Sequence, residues 1–187
     1  MVNFSDISLS FSGWLRRRRF AKSLPILVEL LNVKKDDIIL DVGAGTGVIA
    51  EEISKLCDEV FALDPDPKKV EYIKKKHPQV KAFDGSAEAI QFPENYFTKI
   101  LVVSSFHHFK DKGSALYELY RVLKHNGILV IRDSEPDART SKFEGRVADV
   151  EFLTLDNLKT KLEETGFEIK EIRKSQNGSY FISSTKP

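Results

Sequence analysis

The sequence holds one cysteine, one methionine and one tryptophan in 187 residues. A lone thiol, Cys57, cannot close an internal disulfide, so the fold must stand on its own core, and a reducing, cytoplasmic setting is expected. No apolar run approaches the roughly 20 residues needed to cross a bilayer, and the first 25 residues lack the apolar stretch of a secretory leader, so no membrane role is expected. Four scattered histidines and one cysteine make no metal-ligating set, so no metal is expected either. Charge of one sign is also missing. With 29 basic and 28 acidic residues the net charge is +1, which argues against a surface that tracks nucleic-acid phosphate along its whole extent.

That balance hides an asymmetry. The first 24 residues carry Arg16, Arg17, Arg18, Arg19 and Lys22 against Asp6, a sum of +4, which leaves −3 for the remainder. Arg16–Arg19 could hold RNA phosphates, with Trp14 and Phe20 stacking on bases. On a helix, however, four consecutive arginines point in every direction. The competing expectation is a solvated amphipathic helix with Trp14, Phe20, Leu24 and Leu27 turned inward. The chain is read as a single domain, with residues 1–34 as an N-terminal helical lid and 35–187 as the core.

What the sequence does have is alternation. Short β-branched runs at 37–42, 60–63, 80–83, 100–104 and 128–133 read as strands, and their near-continuous apolar character suits a parallel sheet covered on both faces. Helical patterns fall at about 47–57, 66–77 and 112–124, with a short irregular or helical piece near 86–91. Gly127 sits where a stop for the third of these belongs. This order builds an α/β, doubly wound sheet. Beyond it, "TLDNLKTKLEETGF" reads as a helix stopped by Gly166, followed by two strands joined at Asn177-Gly178, so an antiparallel hairpin closes the chain.

The stretch "ILDVGAGTG" places Gly43, Gly45 and Gly47 directly after the first strand. Val48 stands where the third glycine of the dinucleotide fingerprint would be, and no Lys-Ser or Lys-Thr completes a phosphate loop. NAD and ATP are therefore disfavoured. The helix that follows presents unpaired N–H groups to which a carboxylate is as suited as a phosphate.

With "FALDPDPKKVEYIKK", "GSAEAIQFPENYF", "SSFHHF" and "ELYRVLKHNGILVIRD" following in order, the chain resembles the class I S-adenosylmethionine-dependent methyltransferases, type 11 group, which includes ubiquinone- and menaquinone-type enzymes. The resemblance covers roughly residues 36–135 by motif. It implies a seven-stranded Rossmann-like sheet of order 3-2-1-4-5-7-6, and S-adenosylmethionine as cofactor with S-adenosylhomocysteine as product. It further implies a cofactor site built from Asp41, Gly43, Ala44, Gly45, Thr46, Gly47, Asp64, Pro65, Ser86, Ala87 and Ser104. In that reading the glycines underlie the methionyl part and Asp64 receives the ribose hydroxyls. Ser86 stands where many members have an acid for the adenine amino group, with the Ala87 N–H toward a ring nitrogen. A second departure is Thr98, where an acid commonly opens strand 4.

His107 and His108 are the candidate catalytic residues. Imidazole titrates near neutrality, and either could serve as general base, or the pair could shape the pocket and cap a loop. The motif [DNS]-P-P-[YF] of amino-group methyltransferases acting on DNA bases or glutamine is missing, so DNA is not expected as a partner. Residues 134–152 are short and polar, which favours a small-molecule acceptor, or a macromolecule that completes the pocket, over a quinone. The alternative is a non-catalytic, S-adenosylmethionine-binding or partner-activating subunit, such as one of an RNA-modifying complex.

Overall fold

The computed structural model describes residues 23–136, 150–175 and 178–187. Along them run α1 (Leu24–Leu31), β1 (Ile38–Val42), α2 (Val48–Ile53), β2 (Glu59–Asp64), α3 (Pro67–Lys76) and β3 (Lys81–Asp84). There follow β4 (Phe97–Val103), one turn of 3₁₀ helix (Phe106–His108), α4 (Lys112–Val122), β5 (Leu123–Ser134), α5 (Leu155–Thr165), β6 (Glu168–Lys174) and β7 (Ser179–Thr185). The strands form one sheet in the order β3-β2-β1-β4-β5-β7-β6. Every pairing from β3 to β5 is parallel, whereas β7 runs antiparallel to both β5 and β6.

Alternation along each strand divides the buried side chains between two faces. Leu40, Val42, Phe61, Leu63, Ile100 and Val102 point into a core shared with Leu116 and Leu119 of α4 and Leu158 and Leu162 of α5. Ile39, Val60, Ala62, Leu101 and Val103 point into the opposite core, closed by Leu27 and Leu31 of α1, Ile49 and Ile53 of α2, and Val70 and Ile73 of α3. With both faces of the central strands β1, β2 and β4 covered, the polar residues of the candidate site gather at the carboxyl ends of the strands and in the loops that follow them.

Helix ends follow local chemistry. The Asp66 carboxylate accepts from the Lys68 N–H at 3.0 Å with Pro67 in the first turn, and Asp111 caps α4 by accepting from the Ser114 N–H at 3.0 Å. Thr154 opens α5, and Gly166 closes it with φ of 105°.

Several boundaries differ from expectation. The helix expected to reach residue 124 ends at Val122, because Leu123, wholly buried, starts β5 opposite Phe97. Gly127 lies inside that strand instead of ending the helix, and a Cβ there would meet the Lys124 carbonyl oxygen at 2.7 Å. The helix expected over 47–57 is confined to Val48–Ile53, whereas the 86–91 stretch, expected as irregular or helical, takes the irregular form, with turns and a Ser86–Ala89 bridge. Asn177 lies outside the described residues; its neighbour Gly178 takes φ of 77°. Of the expected lid, residues 1–22, with Arg16–Arg19, also lie outside them. In the described part, Glu29 of α1 pairs with Arg173 of β6 at 2.7 Å. Among the described residues no helix is long and apolar enough to cross a membrane.

Candidate active site

The carboxyl ends of β1, β2, β4 and β5 converge at the point where the strand order reverses, between β1 and β4, which is where open α/β sheets hold ligands. After Val42 the chain curls through Gly43, Gly45 and Gly47 at φ of 72°, 61° and 74°, values that only glycine adopts without strain. The N–H groups of Gly43 and Ala44 both donate to the Leu63 carbonyl, at 2.8 and 3.0 Å. A Cβ on Gly43 would fall 2.4 Å from the Ser105 Cβ, and one on Gly47 would fall 2.8 Å from Ile73 Cγ1. Two of the three glycines are thus demanded by the protein's own packing. Ser105 also donates its hydroxyl to the Val42 carbonyl at 2.9 Å, tying the loop after β4 to β1.

Asp64 ends β2 and is buried. Its Oδ2 accepts from the Gly45 N–H at 2.7 Å, and its Oδ1 from the Asp66 N–H at 3.0 Å and from Lys69 Nζ at 3.3 Å. A carboxylate offers about four acceptor positions, so one remains for an incoming hydroxyl. Thr46 presents a second feature that fits a polar ligand: its hydroxyl oxygen is buried and has no hydrogen-bond partner among the described residues. Asp41 is buried within β1, in register with Ala62 and Leu101, and Pro65 is exposed just beyond β2. Ala44 packs into the core on the α1–α3 side.

Ser86 is exposed and Ala87 is buried against the other core. The Ser86 hydroxyl donates to Glu88 and accepts from the Glu88 N–H at 3.2 Å. A hydroxyl whose proton is spent on Glu88 can offer a ligand only a lone pair, which is the acceptor character an adenine amino group needs. Glu88 in turn accepts from the N–H groups of Lys110 and Asp111 at 2.8 and 3.3 Å, linking this turn to the start of α4. Burial acts to raise the Glu88 carboxyl, but the hydrogen bonds from Ser86 and from backbone N–H groups outweigh it and hold the group below the ordinary glutamate value.

The other wall comes from β4 and β5. Ser104 adopts φ of 52°, an uncommon conformation for a side-chain-bearing residue, and its N–H donates to the Arg132 carbonyl at 2.8 Å. The buried Arg132 guanidinium donates to the hydroxyls of Ser104 and Ser179, the latter at 2.6 Å. The two histidine rings touch, with centroids 4.2 Å apart, but differ in exposure. His108 is exposed, whereas His107 is buried, with Nδ1 at 2.8 Å from Asp133 Oδ1 and its ring stacked on Phe152 at 4.1 Å between centroids.

Sequence reasoning missed Asp133, Arg132 and Glu88. The acid and base that close the apolar run "ILVIRD" were the only local sign of the first two, and nothing local ties them to residues near position 105.

The model of a methyltransferase domain matches residues 40–131. The chain is 33% identical over 134 residues to the demethylmenaquinone methyltransferase of Thermus thermophilus, covering 68% of this chain and 58% of that one. Against the first relatives matched, it spans between 38% and 55% of their length. Among solved structures, a chain of the complex between the Haloferax volcanii Trm112 methyltransferase activator and a methyltransferase superposes with TM-score 0.86 at 12% identity, covering 100% of this chain and 99% of that one. A SAM-dependent methyltransferase from Aquifex aeolicus superposes with TM-score 0.76 at 21% identity, covering 88% and 89%. Residues 40–131 therefore carry a methyltransferase domain, matched by the type 11 methyltransferase family model.

Proposed function

We propose that the chain moves a methyl group from S-adenosylmethionine to a small-molecule nucleophile. The observation that carries this reading is Asp64, which grips the Gly45 N–H and keeps one acceptor position in hand. The same side chain that shapes the glycine loop would thereby feel the ribose. When bound, S-adenosylmethionine supplies an electrophilic methyl on a sulfonium. The chain's task is then alignment and exclusion of water. The loop from Gly43 to Gly47, with the Thr46 hydroxyl, holds the methionyl end. Ser86 and the Ala87 N–H hold the adenine, and Ser104 forms the wall on the acceptor side.

Calorimetry with S-adenosylhomocysteine, NAD and ATP tests the cofactor, and binding of S-adenosylhomocysteine alone is expected. Transfer of labelled methyl into a fractionated cell extract, scored as small molecule, RNA or protein, tests the acceptor class. Label in the small-molecule fraction is expected; label in RNA that is lost when Arg16–Arg19 are replaced by Gln would move the reading to an RNA substrate.

A second reading is activation by a partner protein. It is favoured by the neighbour that spans the whole chain and was solved with a methyltransferase activator. Cofactor binding without transfer into any fraction by the purified chain, with transfer restored by extract protein, would favour it.

A further inference from the structure

Ser86 stands in the turn after β3, at the carboxyl end of the sheet, and two of its three hydrogen-bonding positions are taken. A hydroxyl has one proton and two lone pairs. The Ser86 proton goes to Glu88 Oε2, and one lone pair accepts from the Glu88 N–H at 3.2 Å. Among the described residues nothing meets the second lone pair, and Ser86 is exposed. It therefore offers a ligand one lone pair and no proton.

Glu88 is what keeps the hydroxyl from turning. Its Oε1 accepts from the N–H groups of Lys110 and Asp111 at 2.8 and 3.3 Å, which leaves Oε2 toward Ser86. Burial acts to raise the Glu88 carboxyl, but the hydrogen bonds from Ser86 and the backbone keep it below its ordinary value, so near neutral pH it is a carboxylate and can only accept. The turn has anchors of its own. The Ala89 N–H donates to the Ser86 carbonyl at 3.2 Å. Glu118 of α4 accepts from the Ile90 N–H at 2.8 Å, and Arg121 donates to the carbonyls of Ile90 and Phe92, both at 2.8 Å. The path of the turn thus has several supports, whereas the direction of the Ser86 hydroxyl has one.

We propose that Glu88 is a positioning residue that makes Ser86 an acceptor only, and that the pair selects a cofactor whose purine carries an amino group at position 6. This deepens the methyl-transfer reading above and rests on its placement of the adenine at Ser86 and Ala87. An amino group donates to the open lone pair. A hydrogen at position 6 makes no such bond, and a carbonyl oxygen there would set lone pair against lone pair. The selection is made without any acid touching the base.

Replacing Glu88 by Gln inverts the hydroxyl. With its oxygen kept on the two backbone donors, the Gln amide turns its NH2 group to Ser86; the reverse setting would put NH2 against both N–H groups. Ser86 then accepts from the amide and from the N–H of residue 88, so both lone pairs are used and its proton points outward, donor against donor at an adenine amino group. Glu88→Ala removes the carboxylate and puts nothing in its place, which leaves the hydroxyl able to turn its proton aside and still accept.

The experiment is calorimetry with S-adenosylhomocysteine and with its purine analogue, in which hydrogen replaces the 6-amino group and the ring nitrogens stay. The wild type should bind S-adenosylhomocysteine about 5- to 12-fold more tightly, the upper part of the range for a neutral hydrogen bond, because the carboxylate polarises the hydroxyl. Glu88→Gln should bring that ratio to about one or below, while Glu88→Ala should keep it within about twofold of the wild type. A merely structural role would give the opposite order, since Ala removes the link to α4 and Gln retains it. Should Glu88→Gln fail to fold, Ser86→Ala takes its place, with a ratio of about one expected and a wild-type ratio overturning the proposal.

Equal binding of the two ligands by the wild type overturns the proposal. So does a Glu88→Gln variant that keeps the wild-type ratio, or a Glu88→Ala variant that loses it as fully as Gln does. A wild type that binds neither ligand overturns the cofactor reading itself, whereas binding of both without preference leaves that reading standing and removes only the role of Glu88.

Discussion

Replacing Asp64 by Ala should damage the fold and the cofactor site together, in amounts that can be separated. In the ligand-free protein the change removes the acceptor for the Gly45 N–H at 2.7 Å, which is buried, and for the Asp66 N–H at 3.0 Å, which is partly exposed. A stranded buried N–H costs about 1–3 kcal/mol, whereas water can replace the carboxylate at Asp66. The Lys69 contact at 3.3 Å involves a side chain about one-third exposed and adds less than about 1 kcal/mol. The expected loss is about 2–3 kcal/mol, which for a domain of this size lowers Tm by roughly 4–12 °C. A hydrogen bond from a ribose hydroxyl to a charged acceptor contributes a further 1.5–3 kcal/mol or so, hence S-adenosylhomocysteine should bind about 10- to 150-fold more weakly. Thermal denaturation of the ligand-free protein measures the first quantity and calorimetry at a temperature where both proteins are folded measures the second. A variant with wild-type Tm would show that the carboxylate does not hold the loop. A variant with wild-type affinity would place the ribose elsewhere.

The glycines should also separate. Gly45→Ala meets the positive-φ penalty of about 1–2 kcal/mol, whereas Gly43→Ala adds to it a Cβ 2.4 Å from that of Ser105, so denaturant unfolding should find Gly43→Ala clearly the less stable; equal losses would refute the crowding argument. Gly45→Ala should nonetheless weaken S-adenosylhomocysteine in calorimetry, and unchanged affinity would remove the loop from the cofactor site. Glu88 is held below its ordinary value of 4.5, so its stabilising contribution is complete above that pH and is lost as the pH falls through the lowered folded-state value. Glu88→Gln should therefore flatten the acid decline in unfolding free energy below pH 4.5, and a decline of unchanged steepness would show that the carboxylate does not link Ser86 to α4.

Much of the architecture could be read in advance because its causes are local. Apolar runs of strand length, capping residues such as Thr154 and the glycine stop at Gly166 act over a few residues, and a parallel sheet with both faces covered needs nothing more to declare itself. The glycine loop and Asp64 were legible for the same reason, as short motifs at fixed spacing. What Asp64 does within the protein was not. Its hold on Gly45 spans 19 residues and exists only because β1 and β2 lie side by side. The early start of β5 was likewise hidden, since the burial of Leu123 opposite Phe97 overrides a helical pattern that looks continuous in one dimension. The same limit explains Asp133, 26 residues from His107, and Arg132, 47 residues from Ser179. Neither partner leaves a mark in the other's neighbourhood. The sequence by itself determined which segments become strands and helices, through periodicity and turn chemistry. Only the register of β4, β5 and β7 decided which polar side chains meet at the strand ends, because a one-residue slip turns every side chain to the opposite face.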